Sequence, residues 1–495
     1  MSIVEGLLRD IIENPHDDTP RRVYADWLDE HGDAARAEFI RVQIGLKGLG
    51  PDDPRRGDLE ERELSLEAAD GEAWRAALPA LPGVDWGCFR RGFVEEVSFR
   101  NGRAFLAHAP AAFAAAPVRT AYIKGLTPRT GPDVARSPHL GRLASLELSD
   151  ADPGEETVRA LAASPHIAGL TTLNLYDVPV GDTGAEAFAS SPHLGGITSL
   201  RLGAAGIGPA GAAALAGSRC YPRLTVLGLG GNELGETGAV ALATSLRLPR
   251  LASLDLSFNA LGSAGAAALV SSPSLPRLTS LWLDHNDIGE PGAAALASSP
   301  RLRRLASLRL ADNRIGAEGC RALAGSPNLS RITELDLTNT GFGRSAVRAL
   351  ASTSRPARLR ELRLSGSDLG REGVVALAGS GILSRVRYLS LGRCGVGDEG
   401  AEALAASPHV SRLTFLLLTG NNVGARGAVA LASSRRLRKL IWLDLSENRL
   451  GEEGGRALAA LPRLGSLRTL DLGDNDIGEA TRDALRGRFG DIVDL

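Results

Sequence analysis

The chain has 495 residues, of which 43% are hydrophobic but only 4% aromatic, and it contains 59 glycines and one methionine. With so few aromatic and methionine side chains, its apolar interior must be built almost wholly from Leu, Ala, Val and Ile, which indicates regular packing of small units. The formal net charge of −2, with 23% charged residues, excludes a nucleic-acid-binding coat and a highly charged disordered chain.

The first residues and the cysteines predict where the protein resides. No apolar run reaches the roughly 20 residues needed to span a bilayer. The N-terminus MSIVEGLLRDIIENPHDD lacks the basic and apolar regions of a secretory signal. Four widely separated cysteines without CxxC spacing fit a reducing compartment: Cys88, Cys220, Cys320 and Cys394. We therefore expect a cytoplasmic protein that does not associate with membranes.

The first 80 residues are predicted to form a helical module with a linker. Thr19 and Asp33 are expected to cap two of three short helices. These helices are predicted over about 3–13, 19–32 and 33–44. Residues 46–70, rich in charges with Gly and Pro, are predicted to be a linker or a loose helix. Residues 1–80 carry 10 Lys and Arg against 19 Asp and Glu, an acidic balance that suggests a separate module.

Two segments near the N-terminus resemble a known module. The stretches RRVYADWLDEHGDAARAEFIRVQ (21–43) and WGCFRRGFVEEVSF (86–99) resemble the bacterial repeat-companion module, which precedes repeat arrays in some bacterial proteins. The resemblance covers about residues 4–123 and implies no established activity. Residues 81–142 are predicted to be degenerate repeats that cap the array. Their apolar residues follow a strand pattern: Val94, Val97, Phe99, Val118, Ala121 and Ile123.

A repeat of 27 residues occupies positions 143–493. The pattern LxxLxL begins thirteen units, each 27 residues after the last. Positions 4 and 6 of the unit are Leu in all thirteen copies, position 12 is Gly in all thirteen, and position 9 is Asn in seven. The units begin at Leu143, Leu170, Ile197, Leu224, Leu251, Leu278, Leu305, Ile332, Leu359, Val386, Leu413, Leu440 and Leu467.

Each repeated position has a structural interpretation. Alternating leucines predict a short strand with one buried face. The Asn predicts a buried polar ladder that satisfies backbone groups. The Gly at position 12 predicts a turn with positive φ or a close backbone approach, and the following A-x-A-L-A predicts a short helix. Such units bury their leucines only by stacking.

The pattern LxxLxLxxNxIGxxGAxALAxSPxL resembles the leucine-rich repeats of the ribonuclease-inhibitor class. The resemblance implies an α/β solenoid, an arc with parallel strands on its concave face and short helices on its convex face. The helical N-terminal module precedes this solenoid. Residues 490–495 are expected to close its C-terminal end.

The strand face carries the strongest candidate binding residues. Positions 3, 5, 7 and 8 of the unit should be presented there, and they hold six of the array's ten aromatic residues: Tyr176, Phe258, Trp282, Tyr388, Phe415 and Trp442. Position 3 of three consecutive units should place Tyr388, Phe415 and Trp442 side by side, near Leu417. An acidic flank follows: Asp444, Glu447, Asp471 and Asp474.

Two interpretations of this group stay open. It is either a partner-binding patch, since exposed Trp and Tyr are frequent interface anchors, or an aromatic ladder that only stabilises the sheet. A second candidate group is formed by Phe258, Trp282 and His285. At position 5, alternating charges on neighbouring strands are expected to neutralise each other: Asp255, Arg309, Asp336 and Arg363.

The sequence favours a non-enzymatic protein–protein interaction scaffold that binds a protein partner on the concave face. No catalytic motif, phosphate-binding loop or metal-ligand spacing is present, so no cofactor and no metal are expected. Without a continuous basic stripe, no nucleic acid is expected as a ligand. Alternatives implied by the resemblance are a Ran-type GTPase-activating-like regulator of a nucleotide hydrolase and a ribonuclease-inhibitor-like inhibitor. We expect a monomer, although end-to-end self-assembly is a third possibility.

Overall fold

The computed structural model describes residues 3–50, 53–245, 247–273, 275, 277–352, 358–460 and 466–495. The chain divides into two compact units. Unit 1 comprises Met1–Ile207 and Ser218–Leu227, and unit 2 comprises Gly208–Gly217 and Gly228–Leu495. Within the described ranges, no helix is both long and apolar enough to cross a membrane.

Unit 1 begins with four helices: α1 (Ile3–Glu13), α2 (Thr19–Glu30), α3 (Ala34–Lys47) and α4 (Arg56–Ala76). The Asp33 side chain caps α3 as predicted, because its carboxylate accepts a hydrogen bond from the Arg36 N–H at 3.1 Å. Thr19 is not a cap but the first residue of α2. The stretch predicted as a linker or a loose helix contains most of α4, which is 21 residues long.

A buried ion-pair network joins the start of unit 1 to the hairpin at residues 89–94. The Arg21 guanidinium is fully buried and donates to Glu95 at 2.8 Å. Arg91 bridges the Glu95 carboxylate at 2.6 Å and the Asp18 carboxylate at 2.9 Å. Loss of one partner would leave a buried charge uncompensated. The network therefore holds together the two stretches that resemble the companion module.

The remainder of unit 1 alternates strands with helices. Its elements are β1 (Val84–Trp86), β2 (Phe89–Arg90), β3 (Phe93–Val94), β4 (Glu96–Phe99), α5 (Gly102–Ala115), β5 (Thr120–Lys124), α6 (Gly131–Ala135), β6 (Ser145–Ser149), α7 (Gly154–Ala163), β7 (Thr172–Asn174), α8 (Gly181–Ala189), β8 (Ser199–Arg201) and β9 (Val226–Gly228). The last residue of β9 belongs to unit 2. Two 3₁₀ helices lie at Pro138–Arg142 and Pro165–Ile167.

The strands of unit 1 pair in a regular register. β1 is antiparallel to β4, and β2 and β3 form an antiparallel hairpin. From β4 to β8 the pairing is parallel, and it aligns one buried residue from each strand: Val97, Ala121, Leu146, Leu173 and Leu200. The degenerate repeats predicted before residue 143 therefore supply strands that continue the pattern of the regular repeats.

Unit 2 repeats the same strand-and-helix element. Its members are α9 (Pro209–Gly217), α10 (Gly235–Ser245), β10 (Ser253–Asp255), α11 (Gly262–Ser271), β11 (Ser280–Trp282), α12 (Glu290–Ser298), β12 (Ser307–Arg309), α13 (Gly316–Gly325), β13 (Glu334–Asp336), α14 (Arg344–Ser352), β14 (Glu361–Arg363), α15 (Gly370–Ala378), β15 (Tyr388–Ser390), α16 (Gly397–Ala406), β16 (Phe415–Leu417), α17 (Ala425–Ala432), β17 (Trp442–Asp444), α18 (Gly451–Ala460), β18 (Thr469–Asp471), α19 (Glu479–Phe489) and β19 (Val493–Asp494). Its 3₁₀ helices are Pro300–Leu302, Pro327–Leu329, Gly381–Arg385 and Gly490–Ile492.

Parallel pairing in unit 2 confirms the predicted fold class of strands and helices stacked in a solenoid. From β10 to β18, each residue pairs with the residue 27 positions later, as in Leu254 with Leu281. β19 adds to β18 through the pairing of Asp471 with Asp494, so the last residues do continue the sheet.

The core of unit 2 lies between the strands and the helices. The leucines of β10 to β12 that point inward, Leu254, Leu281 and Leu308, are fully buried, and each such side chain contributes about 1.5–3 kcal/mol. The helices approach closely where the unit has Gly at position 15. A Cβ on Gly265 would lie 2.9 Å from the Cβ of Ala239 on the neighbouring helix. Small residues therefore set the helix spacing.

A ladder of buried asparagines runs beside the core, as predicted. All seven position-9 asparagines are at most 5% exposed. Asn286 is typical, because its Nδ2 donates to the Leu256 carbonyl at 2.8 Å while its Oδ1 accepts from the N–H groups of Asn259 and Leu261 at 3.1 and 3.3 Å. The ladder satisfies backbone groups that the turn would otherwise leave buried without partners.

The turn after each strand has a conformation that the sequence did not reveal. The residue at position 8 has positive φ in all thirteen units, whereas Gly at position 12 has it in only eight. Positive φ, the first of the two reasons predicted for Gly at position 12, therefore holds in eight units. Among the other five, a Cβ on Gly289 or Gly424 would lie 3.1–3.2 Å from a neighbouring side chain, as the predicted close approach requires. The position-8 residues are Asp150, Asp177, Ala204, Gly231, Phe258, His285, Asp312, Asn339, Gly366, Arg393, Gly420, Glu447 and Asp474.

Candidate partner-binding surface

Three aromatic side chains lie side by side on the sheet surface of unit 2. The register pairs Tyr388 with Phe415 and Phe415 with Trp442. Their ring centroids are 5.8 and 6.4 Å apart, with the planes tilted by 33° and 40°. Trp442 is 40% exposed. We call these three residues the aromatic ladder, and it presents a continuous, partly exposed apolar surface.

At the β14 end of the aromatic ladder, the positive charge of Arg363 is neutralised. The Arg363 guanidinium lies 4.5 Å from the centroid of the Tyr388 ring, a distance suited to a cation–π contact. The same guanidinium forms ion pairs with Glu361 at 2.9 Å and with Glu334 at 3.4 Å. Arg363 is therefore occupied by intramolecular partners.

The other end of the ladder carries carboxylates without cations. Asp444, Asp471 and Asp494 are in register on β17, β18 and β19. In the described part of the chain, no ion pair involves any of the three, and the same holds for Asp474. Burial raises the pKa of Asp471, and the neighbouring carboxylates add to this rise. Like charges on adjacent strands repel, so the ladder is followed by a strip of uncompensated negative charge.

Two other predicted members of this group differ in their environment. Leu417 lies half-buried between Ser390 and Asp444 in the register, and it extends the apolar surface. Glu447 does not share the uncompensated charge of the flank. Its carboxylate pairs with Arg393 at 2.8 Å, so its negative charge is largely neutralised.

The second predicted group is only partly brought together. The rings of Phe258 and His285 are stacked, with centroids 4.0 Å apart and planes 16° from parallel. His285 Nε2 lies 2.9 Å from Oδ2 of Asp312. Trp282 is half-buried on β11 and contacts a different partner, because the Arg309 guanidinium lies 5.0 Å from the centroid of its ring.

Phe258 occupies a strained backbone position. Its φ is +57° and its side chain is 55% exposed. A non-glycine residue in the left-handed region costs about 1–2 kcal/mol, and a bulky one is unusual there. Glycine fills the equivalent position at Gly231, Gly366 and Gly420. Backbone stability alone therefore does not account for an exposed phenylalanine at this place.

Sequence reasoning missed a buried charge beside this group. Asp284 is 7% exposed, and burial raises the pKa of its carboxyl to about 6. Arg309, with Nε 3.3 Å from Asp284 Oδ2, and the Ala311 N–H, 2.8 Å from Oδ1, oppose this rise. The available signal was that Asp284 is the only charged residue at position 7 of the repeat.

The charged residues at position 5 do not neutralise one another as expected, because the arginines among them pair with carboxylates at other positions of the repeat. Arg309 and Arg363 were expected to pair with Asp336 between them. Arg309 instead lies against the buried Asp284, and Arg363 pairs with glutamates at position 3 of its own and a nearby strand. Asp336 accepts a hydrogen bond from the Thr338 N–H at 3.0 Å. The side chains reach diagonally across the sheet rather than along one row.

Nucleophilic or metal chemistry has little support in the described residues. They contain no group of three or more His, Cys, Asp and Glu side chains that could hold a metal ion. Cys320 and Cys394 are buried, and burial raises the pKa of both thiols to about 11. A thiol must be deprotonated to act as a nucleophile, and these raised pKa values keep both thiols protonated near neutral pH.

Comparison with known proteins agrees with this architecture. A family model described as Leucine Rich repeat matches residues 250–270, 275–297, 304–324, 358–378, 386–405, 412–432, 437–459 and 466–480. These segments of the chain are leucine-rich repeats. Such repeats are typical of protein–protein interaction scaffolds. No curated protein matches this chain.

Solved structures resemble it only at the level of the fold. An internalin from Listeria monocytogenes is 20% identical with a TM-score of 0.40, and the match covers 62% of this chain and 82% of the internalin chain. A chain of the Rad7–Elc1 complex in yeast is 18% identical with a TM-score of 0.45, covering 86% and 94%. A chain of the mouse RP105/MD-1 complex is 15% identical with a TM-score of 0.43, covering 76% and 71%.

Proposed function

We propose that this protein is a non-enzymatic interaction scaffold whose sheet surface over β15 to β18 binds a partner protein. The observation that carries the proposal is the aromatic ladder, with Trp442 40% exposed, beside carboxylates that lack cations. Aromatic side chains in the centre of an interface supply much of its binding energy. The proposed site comprises the ladder, Leu417 and the acidic flank.

The repeat itself does not require aromatic residues at these positions. The leucines between them, Leu389, Leu416 and Leu443, are fully buried and form the core. Three other strands of unit 2 have serine at the same position: Ser253, Ser280 and Ser307. Those strands pair in the same register, so the fold forms without an aromatic ladder. This supports a binding role for the ladder over a purely structural one.

The charge next to the ladder favours a basic partner. Asp444, Asp471 and Asp494 form a strip of carboxylates in register. Lysine or arginine side chains of a partner would relieve their mutual repulsion and form charge-assisted hydrogen bonds. Exposed charge pairs weaken with ionic strength, so binding should weaken as salt is added.

Assignment to the ribonuclease-inhibitor class and to the bacterial companion module is also part of this proposal. The constant 27-residue period, with a full helix in most units, supports the first assignment. The buried network between Arg21, Glu95 and Arg91 supports treating the two companion-like stretches as one module.

Affinity capture tests the proposal with three versions of the intact protein. Wild type, Tyr388→Ala/Trp442→Ala and a control, Val240→Ala/Val375→Ala, are each immobilised and exposed to a native lysate. The control changes valines that are exposed on helices, 40% and 46% respectively. We expect wild type and control to recover the same partner and the ladder variant to lose it. Equal recovery by all three would overturn the proposal.

A further inference from the structure

We propose a second recognition site in unit 2, where the Phe258 ring and the Asp255 carboxylate bind an arginine or lysine side chain of a protein partner. This site lies within unit 2, where the turn at Gly230 and Gly231 runs beside β10 and the turn after it, and it does not include the aromatic ladder. The proposal therefore stands independently of the proposed function.

We infer that one face of the Phe258 ring is open to solvent. His285, on the β11 side, stacks on the other face at 4.0 Å. On the opposite side lies the turn of the preceding repeat. It is held beside the Phe258 turn because the Gly231 N–H donates to the Ser257 carbonyl at 2.7 Å. Gly231 is the position-8 residue there and has no side chain to cover the ring. The 55% exposure of Phe258 agrees with an open face.

The Asp255 carboxylate borders the same open space. A Cβ on Gly230 would lie 3.1 Å from both of its oxygens, so the carboxylate extends over that glycine. Oδ1 accepts the Ser257 N–H at 2.9 Å, and no described cation forms an ion pair with Asp255. The backbone at Gly230 and Gly231 therefore forms the floor of a notch with an aromatic ring and a carboxylate at its border.

The surrounding charge specifies the sign of the ligand. Asp284 lies close, since its Oδ2 is 3.5 Å from the Ser257 hydroxyl. The cation that faces this carboxyl is Arg309, and its guanidinium is already engaged with Asp284 and Trp282. A guanidinium or ammonium group fits this notch, since it gains both a cation–π contact and a charge-assisted hydrogen bond. An anion in the notch would be repelled by the carboxylates of Asp255 and Asp284.

A pair of peptides provides the test. The probes are acetyl-Gly-Arg-Gly-amide and the same peptide with citrulline, which is isosteric with arginine but uncharged, and binding is measured by saturation-transfer difference NMR. The intact wild-type protein is expected to bind the arginine peptide at least about fivefold more tightly, as one cation–π contact with a charged hydrogen bond should give.

Two variants change the notch. Each introduces a residue type that occurs with positive φ at the same position of another repeat. Phe258→Asn removes the ring, and Asn339 adopts the same positive φ. Gly231→Arg fills the notch with an internal guanidinium, and Arg393 adopts the same positive φ. Both variants should lose the preference for arginine, whereas Val375→Ala, at an exposed position on α15, should retain it. Trp442→Ala is measured as well, to distinguish this site from the aromatic ladder. Circular dichroism verifies that each variant is folded.

Each other outcome overturns the proposal. It fails if wild type does not prefer arginine over citrulline, or if the preference survives in Phe258→Asn and in Gly231→Arg. Loss of the preference only in Trp442→Ala would place peptide binding on the aromatic ladder, which would support the proposed function and refute this second site.

Discussion

Replacing Asn421 by alanine tests the ladder of buried asparagines. The Asn421 side chain is fully buried. Its Nδ2 donates to the carbonyls of Leu391 and Thr419 at 2.7 and 3.2 Å. Its Oδ1 accepts from the N–H groups of Cys394 and Val396 at 2.8 and 3.2 Å. One side chain thus serves four backbone groups in two adjacent repeats.

The expected loss of stability follows from the groups left without partners. The Thr419 carbonyl still accepts from the Arg393 N–H at 2.8 Å after the substitution. The N–H groups of Cys394 and Val396 would have no acceptor in a dry environment. A buried unsatisfied group costs about 1–3 kcal/mol. We therefore expect Asn421→Ala to lower the free energy of unfolding by about 4 kcal/mol.

Hydrogen exchange is the suitable assay, because repeat arrays often unfold in parts. Exchange measured by mass spectrometry over residues 386–432 gives the free energy of local opening. Asn339→Ala is the matched control, since this asparagine is exposed and, among the residues that the structure describes, its Nδ2 donates only to Asp312, at 2.8 Å. A cost below about 1 kcal/mol for Asn421→Ala, or one equal to the control, would refute the reasoning.

Three further predictions follow from the same structure. Cys394→Asn should raise the free energy of unfolding by about 1 kcal/mol in urea denaturation, because a thiol replaces the stronger amide donor toward the Leu364 carbonyl. The folded pKa of Asp284, about 6, lies above its ordinary value of 3.8. Between pH 3.8 and pH 6 the folded state therefore binds more protons than the unfolded state. The free energy of unfolding should then fall by about 2–3 kcal/mol as pH rises from 4 to 7. Asp284→Asn should remove this dependence, and parallel pH profiles would contradict it. Phe258→Gly should change stability by less than about 1 kcal/mol, because relieved strain offsets the lost ring stacking, whereas Phe188→Ala in the core should cost about 3–5 kcal/mol by the same assay.

The repeat and its register could be predicted because one period controls both. A constant spacing of 27 residues places equivalent side chains next to each other in a parallel sheet, as Phe415 and Trp442 are. The same logic correctly placed the asparagine ladder, since one residue type recurred at one position. Asp33 was also recognisable as a cap from its place before a helical stretch.

The turn conformation could not be read from the sequence. Position 8 has positive φ throughout, yet residues as different as Asp150, Phe258 and Arg393 occupy it. Backbone geometry there is imposed by the strand pairing and the asparagine ladder rather than by a glycine preference. The positive φ of Phe258 therefore became visible only in the structure.

The pairing of side chains across the sheet also could not be predicted from the sequence. A row of alternating charges predicts which residues are neighbours, but a long arginine side chain can pair with any of several carboxylates within its reach. Arg309 lies against the buried Asp284 rather than Asp336. In the array, the four aromatics outside the strand face are core residues, since Phe188, Tyr221, Phe342 and Phe489 are at most 6% exposed. Exposure, which separates them from Trp442, follows from packing.

Site-specific photo-cross-linking tests the central claim most directly. A benzophenone amino acid replaces Trp442 in one version of the intact protein and Val375, on α15, in another. Both are expressed in cells and irradiated. The account predicts one specific cross-linked protein from position 442 and none from position 375. Equal cross-linking from both positions, or cross-linking from position 375 alone, would contradict partner binding on the sheet surface over β15 to β18.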